Sequence, residues 1–126
     1  MKLNPDCIRD ILVAVEANTD FSKVATTGDF IESGIVQKYN MNTIAYHIRQ
    51  ADEAGLLLGV TFCLGGEFLI QDLSPEGHKF LADIREDKNW VKTKAIASKV
   101  GSTSLNALAS IATNVISTAI KQHLGL

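Results

Sequence analysis

Apolar residues recur at helical spacing near the start of the chain. Those between residues 8 and 15 lie at i, i+3, i+4 and i+7, which places them on one helix face. They are Ile8, Ile11, Leu12 and Val15. Asn4 and Pro5 provide an N-cap and a first helical residue, so the pattern predicts a helix over residues 5–17. Glycines interrupt the apolar positions that follow, and there we expect one short helix over residues 28–37.

The clearest helical pattern begins after Asn40 and ends before Gly55. Its apolar positions share one face of the helix and are Met41, Ile44, Ala45, Ile48 and Ala51. The opposite face is polar but carries no alternating charges, which favours a surface that contacts a partner. That face contains Asn42, Thr43, Tyr46, Gln50 and Glu53, with His47 and Arg49 at its flanks.

The spacing of apolar residues changes to that of strands after Leu56. Residues 56–64 and 67–73 predict two antiparallel strands joined by a turn at Gly65 and Gly66. A second helix-start signal, Ser-Pro-Glu from residue 74, predicts another helix from residue 75. Residues 85–89 are charged and either continue that helix or break it before Trp90.

A long amphipathic helix is predicted over residues 102–122, after a boundary at residues 99–102. Nine Ser, Thr and Asn residues in the uncharged run 101–120 argue against a membrane span. The helix could dock on its own domain, pair with copies of itself or lie on a membrane surface. We expect self-association, through Leu105, Leu108, Ile111, Ala112, Val115, Ile116, Ala119 and Ile120.

The order of elements is helix, short helix, helix, hairpin and helix. This order predicts an α+β, mainly α fold: a winged helix-turn-helix with a two-stranded β-hairpin wing and a C-terminal amphipathic helix. Residues 1–99 would form the winged-helix-like domain and residues 102–122 the oligomerisation helix.

The net charge of the chain is close to zero, but the charged residues are unevenly distributed along it. The 126 residues, 46% of them apolar, suffice for one modest domain. The net charge of −2 combines an acidic portion, residues 1–87, with an acid-free portion, residues 88–126, that carries five lysines. The predicted wing holds no basic residue and has Glu67 near its tip. Tight DNA binding needs many cations, so a dimer or the basic segment 88–99 would have to contribute.

Residues that could carry out catalysis or bind metal are scattered. Cys7 and Cys63 lie far apart with no second ligand at metal spacing, and the three histidines fall on different elements. The paired glycines lack the lysine of a phosphate-binding loop. We therefore expect no enzyme activity, no cofactor and no metal. The polar N-terminus lacks an apolar signal segment, so we expect a cytoplasmic protein.

Two sequence phrases resemble the winged-helix superfamily. Residues 46–57, ending in Glu-Ala-Gly-Leu-Leu, resemble the end of its recognition helix and the entry to its wing. Residues 72–77, Asp-Leu-Ser-Pro-Glu-Gly, are similar to the exit from its wing into the next helix. The whole chain resembles an uncharacterised family of small bacterial and phage proteins, domain of unknown function 2513. The matching stretches are residues 1–12, 46–48, 72–81 and 84–90.

That resemblance implies a winged-helix-like core encoded by phages or mobile elements, with no assigned chemistry. We expect a non-enzymatic regulatory protein that places its third helix in the major groove of double-stranded DNA as a dimer or higher oligomer. The expected DNA contacts are Lys38, Asn42, Thr43, Tyr46, Arg49 and Gln50, and Lys23 is expected to contact the DNA backbone as Lys38 does. By residue type alone, a helix face that contacts only solvent is as good an interpretation as a face that contacts DNA. The acidic body and uncharged wing favour an alternative, a protein-binding module that engages a host or defence protein.

Overall fold

The computed structural model describes residues 1–126 as six α-helices and one small antiparallel sheet. The α+β, mainly α class is therefore confirmed. The helices are α1 (Pro5–Asn18), α2 (Thr27–Glu32), α3 (Met41–Glu53), α4 (Pro75–Ile84), α5 (Asp87–Val100) and α6 (Leu105–Leu124). The strands are β1 (Ala25–Thr26), β2 (Leu57–Phe62) and β3 (Phe68–Leu73).

Side-chain caps fix the starts of three helices where the sequence predicts them. The Asn4 Oδ1 atom accepts hydrogen bonds from the backbone N–H groups at the start of α1. Asn40 caps α3 and Ser74 caps α4 in the same way. Each cap satisfies N–H groups that have no partner within the helix. The predicted starts at residues 5, 41 and 75 are confirmed.

The sheet has three strands in the order β1-β3-β2: the predicted hairpin forms from β2 and β3, and a short strand β1 that the sequence did not predict is added to it. Strand β1 pairs antiparallel with β3, with Ala25 opposite Ile70 and Thr26 opposite Leu69. A strand of two residues is too short to show an alternating pattern in the sequence. Its conformation depends on pairing with the edge of β3, more than forty residues away along the chain.

The single short helix predicted over residues 28–37 is two separate elements. Helix α2 starts in a capping box in which Thr26 and Asp29 bond to each other's backbone N–H. Gly34 then adopts a φ of 84°, which ends α2 and leads into a 3-10 turn at Ile35–Gln37. A left-handed residue cannot continue an α-helix, so the helix breaks where that glycine stands.

The core lies between α1, α3, α4 and one face of the sheet. Phe30 from α2 meets Phe68 from β3 edge to face, with ring centroids 5.0 Å apart. Helix α4 passes so close to the chain before β2 that a Cβ atom on Gly77 would lie 2.0 Å from the Leu56 carbonyl oxygen. Other large side chains that are fully buried include Ile8, Ile11, Leu12, Ile44, Ile48 and Ile70.

The C-terminal helix docks on its own chain. Helix α6 packs against α4 and α5, and it buries four of its apolar residues: Leu105, Leu108, Ala112 and Val115. We expect these four residues to join subunits, but in this structure their side chains are buried against helices of the same chain. Ile111, Ile116 and Ala119 are half-buried, and Ile120 is exposed. No helix is both long enough and apolar enough to cross a bilayer.

Candidate interaction surface

Helix α3 buries one face in the core and exposes the opposite one. Ile44 and Ile48 are fully buried, whereas Asn42 and Arg49 are exposed. The sequence pattern predicts this orientation, because the apolar residues lie at helical spacing. Asn42 and Arg49 can both pair with base edges, and neither bonds to a side chain elsewhere in the protein.

Tyr46 lies at the centre of a groove between α3 and the hairpin formed by β2 and β3. Its hydroxyl donates a hydrogen bond of 3.2 Å to the backbone oxygen of Met1. The guanidinium carbon of Arg49 lies 5.7 Å from the centre of the Tyr46 ring, a cation–π distance. The groove measures about 370 Å³ and is lined by Met1, Asn42, Ala45, Tyr46, Arg49 and Phe62.

Thr43 and Gln50 contribute less to this groove. The Thr43 backbone N–H donates to the Asn40 cap and its carbonyl accepts from His47, so the residue belongs to the first turn of the helix. Gln50 lies in a neighbouring groove with Leu3 and Ser104. Of the six expected contacts, the structure therefore brings Asn42, Tyr46 and Arg49 together in one place.

Lys38 forms an ion pair within its own chain, and its side chain is 66% exposed. Its Nζ atom lies 3.6 Å from the Asp10 carboxylate, so a carboxylate of the same chain already partners its charge. Lys23, another expected backbone contact, is paired with Asp29 at 3.2 Å. In this structure each of the two lysines is thus paired with a nearby carboxylate, and contact of either lysine with phosphate stays a prediction.

His47 holds the N-terminal residues against α3. The imidazole is buried, with only 1% of its surface exposed. Its Nε2 atom accepts a hydrogen bond of 2.8 Å from the Asn4 N–H, and Nδ1 lies 2.8 Å from the Thr43 carbonyl oxygen. These partners require the neutral ring with its proton on Nδ1. The sequence places His47 only at the flank of the polar face, and nothing local reveals the contact with Asn4.

Asp6 connects the beginning of α1 to α5. Its carboxylate accepts hydrogen bonds from the Trp90 indole at 2.8 Å and from Lys94 at 2.9 Å. Partial burial opposes its ionisation, but these two bonds outweigh that effect and hold the pKa of Asp6 below its usual value. Lys94 is therefore also paired with a carboxylate of its own chain.

The tip of the hairpin is apolar and exposed. Leu64 is 99% exposed and Phe62 is 47% exposed. Cys63 between them is also exposed, whereas Cys7 is buried in the core. Burial, reinforced by the nearby Asp10, raises the pKa of the Cys7 thiol to about 12. The alternating strand pattern had placed Phe62 in a strand, but it did not indicate that the ring borders the α3 groove.

Comparison with known proteins identifies a family but no activity. A family model described as "Hypothetical protein (DUF2513)" matches residues 2–104. This match confirms the family resemblance and covers everything before α6. No curated protein and no solved structure matches the chain.

Proposed function

The chain belongs to this family of hypothetical proteins, domain of unknown function 2513, and we propose that it is a winged helix-turn-helix regulatory protein of a phage or mobile element. In this proposal it is not an enzyme, and it binds double-stranded DNA through α3 as a dimer or higher oligomer. The observation that carries the proposal is the exposed polar face of α3 beside a hairpin in a β1-β3-β2 sheet. Three helices followed by such a hairpin have the element order of winged-helix proteins. Fold analogy alone is a weak argument for function, so the residues must support it.

Asn42 and Arg49 are the side chains of α3 best suited to read bases. An arginine can form two hydrogen bonds with guanine and an asparagine two with adenine. Both residues are exposed, and no carboxylate neutralises Arg49. Tyr46 keeps the Arg49 side chain in place through the contact between guanidinium and ring.

The distribution of free cations is the reason for proposing more than one copy. Six of the twelve Lys and Arg side chains form ion pairs within the chain: Arg9, Lys23, Lys38, Lys79, Arg85 and Lys94. On α3 the only Lys or Arg side chain is Arg49, which forms no ion pair, and the hairpin has no lysine or arginine. Since phosphate contacts supply most nonspecific affinity, one chain provides few of them and an assembly would multiply them.

Replacement of Arg49 tests this proposal. We expect Arg49→Ala to weaken binding of a duplex that carries the preferred site by about five- to a hundredfold, the range of one base contact. Fluorescence anisotropy at low salt, on a duplex selected from a random pool, measures the change. Lys79→Ala is the matched control, because it removes the same charge from α4, where Lys79 is paired with Asp83.

Two results would contradict DNA binding through α3. Equal loss of affinity in both variants would mean that only net charge matters. Failure of the unmodified protein to bind any duplex at low salt would exclude the function.

The exposed apolar hairpin tip favours a second candidate, a module that binds a host or defence protein. Leu64 and Phe62 are exposed close together at this tip, and exposed apolar patches mark sites of protein interaction. A pull-down from host lysate, with nuclease then added to the captured material, separates the two candidates. A partner that is retained by the unmodified protein and lost with Leu64→Asp supports this function, whereas release of all captured protein by nuclease excludes it.

A further inference from the structure

We propose that the groove between α3 and the hairpin binds an unpaired nucleobase, so that the preferred nucleic acid contains a single-stranded segment. This inference rests on the proposed nucleic-acid binding but identifies a ligand that duplex recognition does not require. The groove is lined by a half-exposed aromatic ring, Phe62, together with Tyr46 and Arg49, which lie at cation–π distance from each other.

The chemistry of the groove wall suits a base better than an apolar peptide. Bases stack on aromatic rings and on arginine guanidinium groups, whichever base they are. Phe62 offers one such ring and the Arg49 guanidinium offers a second planar surface, while the Asn42 amide can pair with a base edge. No carboxylate lines the groove, so nothing there repels the phosphates that accompany a base.

The charges around the groove also favour a single-stranded segment over a long duplex. A long duplex is held mainly by many phosphate contacts, and this face of the protein has few free cations. A single-stranded segment relies more on stacking, which contributes even where cations are sparse. Arg49 is placed for both roles, since it lies against Tyr46 and has no carboxylate partner.

The test compares three labelled DNAs at low salt by fluorescence anisotropy: a blunt duplex, the same duplex with a thymidine overhang, and single-stranded oligothymidylate. We expect the overhang to be preferred over the blunt duplex. Phe62→Leu should reduce that preference at least about fivefold, because leucine keeps the apolar bulk but has no ring for stacking. Phe62→Trp should restore it.

Phe21→Leu is the matched control, since Phe21 is a fully exposed ring in the loop after α1 and does not line the groove. Thermal melting of each variant confirms folding, and Phe62→Trp gives a folded comparison should leucine unfold the hairpin. Blunt duplex bound as tightly as the overhang overturns the base-binding inference but leaves the proposed function intact. Binding of oligothymidylate but of neither duplex would support the base-binding inference and contradict the proposed binding of double-stranded DNA.

Three further outcomes would overturn the inference. Equal effects of Phe62→Leu and Phe21→Leu would mean that an exposed ring anywhere contributes the same. An overhang preference that Phe62→Leu leaves unchanged would mean that stacking on the Phe62 ring does not hold the base. Absence of binding to all three DNAs would exclude both this ligand and the proposed function.

Discussion

At the scale of single residues, Gly77 lies closer to neighbouring backbone than any other glycine of the chain. A Cβ atom there would meet the Leu56 carbonyl oxygen at 2.0 Å, and a backbone atom cannot move aside as a flexible side chain can. The sequence marks this glycine only as the third residue of a helix, where any small residue would serve. The constraint comes from Leu56, the residue just before β2, because the hairpin brings α4 back against it.

Gly77→Ala should therefore destabilise the protein by about 3 kcal/mol, the upper range for overpacking in a core. Gly28→Ala is the control, because a Cβ there meets nothing closer than Thr26 Oγ1 at 3.6 Å. That change lies in α2 and should leave stability equal or raise it by about 0.5 kcal/mol. Denaturation in guanidinium chloride measures both, and similar free energies of unfolding for the two variants would contradict the close packing.

At the scale of elements, carboxylates fasten helix ends to the rest of the fold. A hydrogen bond from the Thr26 backbone, with the nearby Lys23, keeps the pKa of Asp29 below its usual 3.8. A hydrogen bond from Arg85 lowers the pKa of Glu16 below its usual 4.5. Asp6 is shifted in the same direction where α1 meets α5. In the folded state each group thus holds its proton less tightly than in the unfolded chain.

A depressed folded pKa stabilises the protein above the unfolded pKa, and this stability is lost as the pH falls through the folded value. We expect a melting temperature that is steady down to about pH 5 and falls below about pH 4. Asp29→Asn should melt lower than the unmodified protein at pH 6 and approach it at low pH, because both then lack the charge. Glu32→Gln, an exposed change in the same helix, is the control. A gap that stays constant with pH would contradict this origin.

The elements also show which parts of the fold can be predicted from sequence. Caps at Asn4, Asn40 and Ser74 act on N–H groups within three residues, so local sequence is sufficient to predict the helix starts. Strand β1 and the pairing of Lys38 with Asp10 depend on residues far away in the chain, and no local pattern encodes them. The candidate site follows the same division: the exposed face of α3 was predictable, whereas the approach of Phe62 and Met1 to it was not.

At the scale of the whole molecule, α6 has two separable parts. Leu108 is almost fully buried against the same chain, whereas Ile120, three turns later, is exposed. Self-association of the kind proposed must therefore use the exposed end of the helix and not the residues that already pack within the chain. The surface proposed for self-association is therefore reduced from the eight predicted apolar residues of α6 to those around Ile120.

Native mass spectrometry and thermal melting together test this division. We expect the unmodified chain to form dimers or larger assemblies, and Ile120→Asp to yield monomers with an unchanged monomer melting temperature. Leu108→Ala should instead destabilise the folded chain by about 2–5 kcal/mol, as expected for a cavity in a core. A chain that remains monomeric at every concentration would contradict assembly through α6, whatever the effect of Leu108→Ala.

The contrast between the two cysteines makes the hairpin tip a natural attachment point for a reporter. A thiol reacts as its thiolate, so Cys7, buried and with a pKa of about 12, stays inert in the folded protein. Cys63 is exposed and directly follows Phe62. A maleimide dye would therefore label the unmodified chain at one position beside the α3 groove. Any partner that enters the groove would change the emission of that dye, without a cysteine having to be removed or introduced.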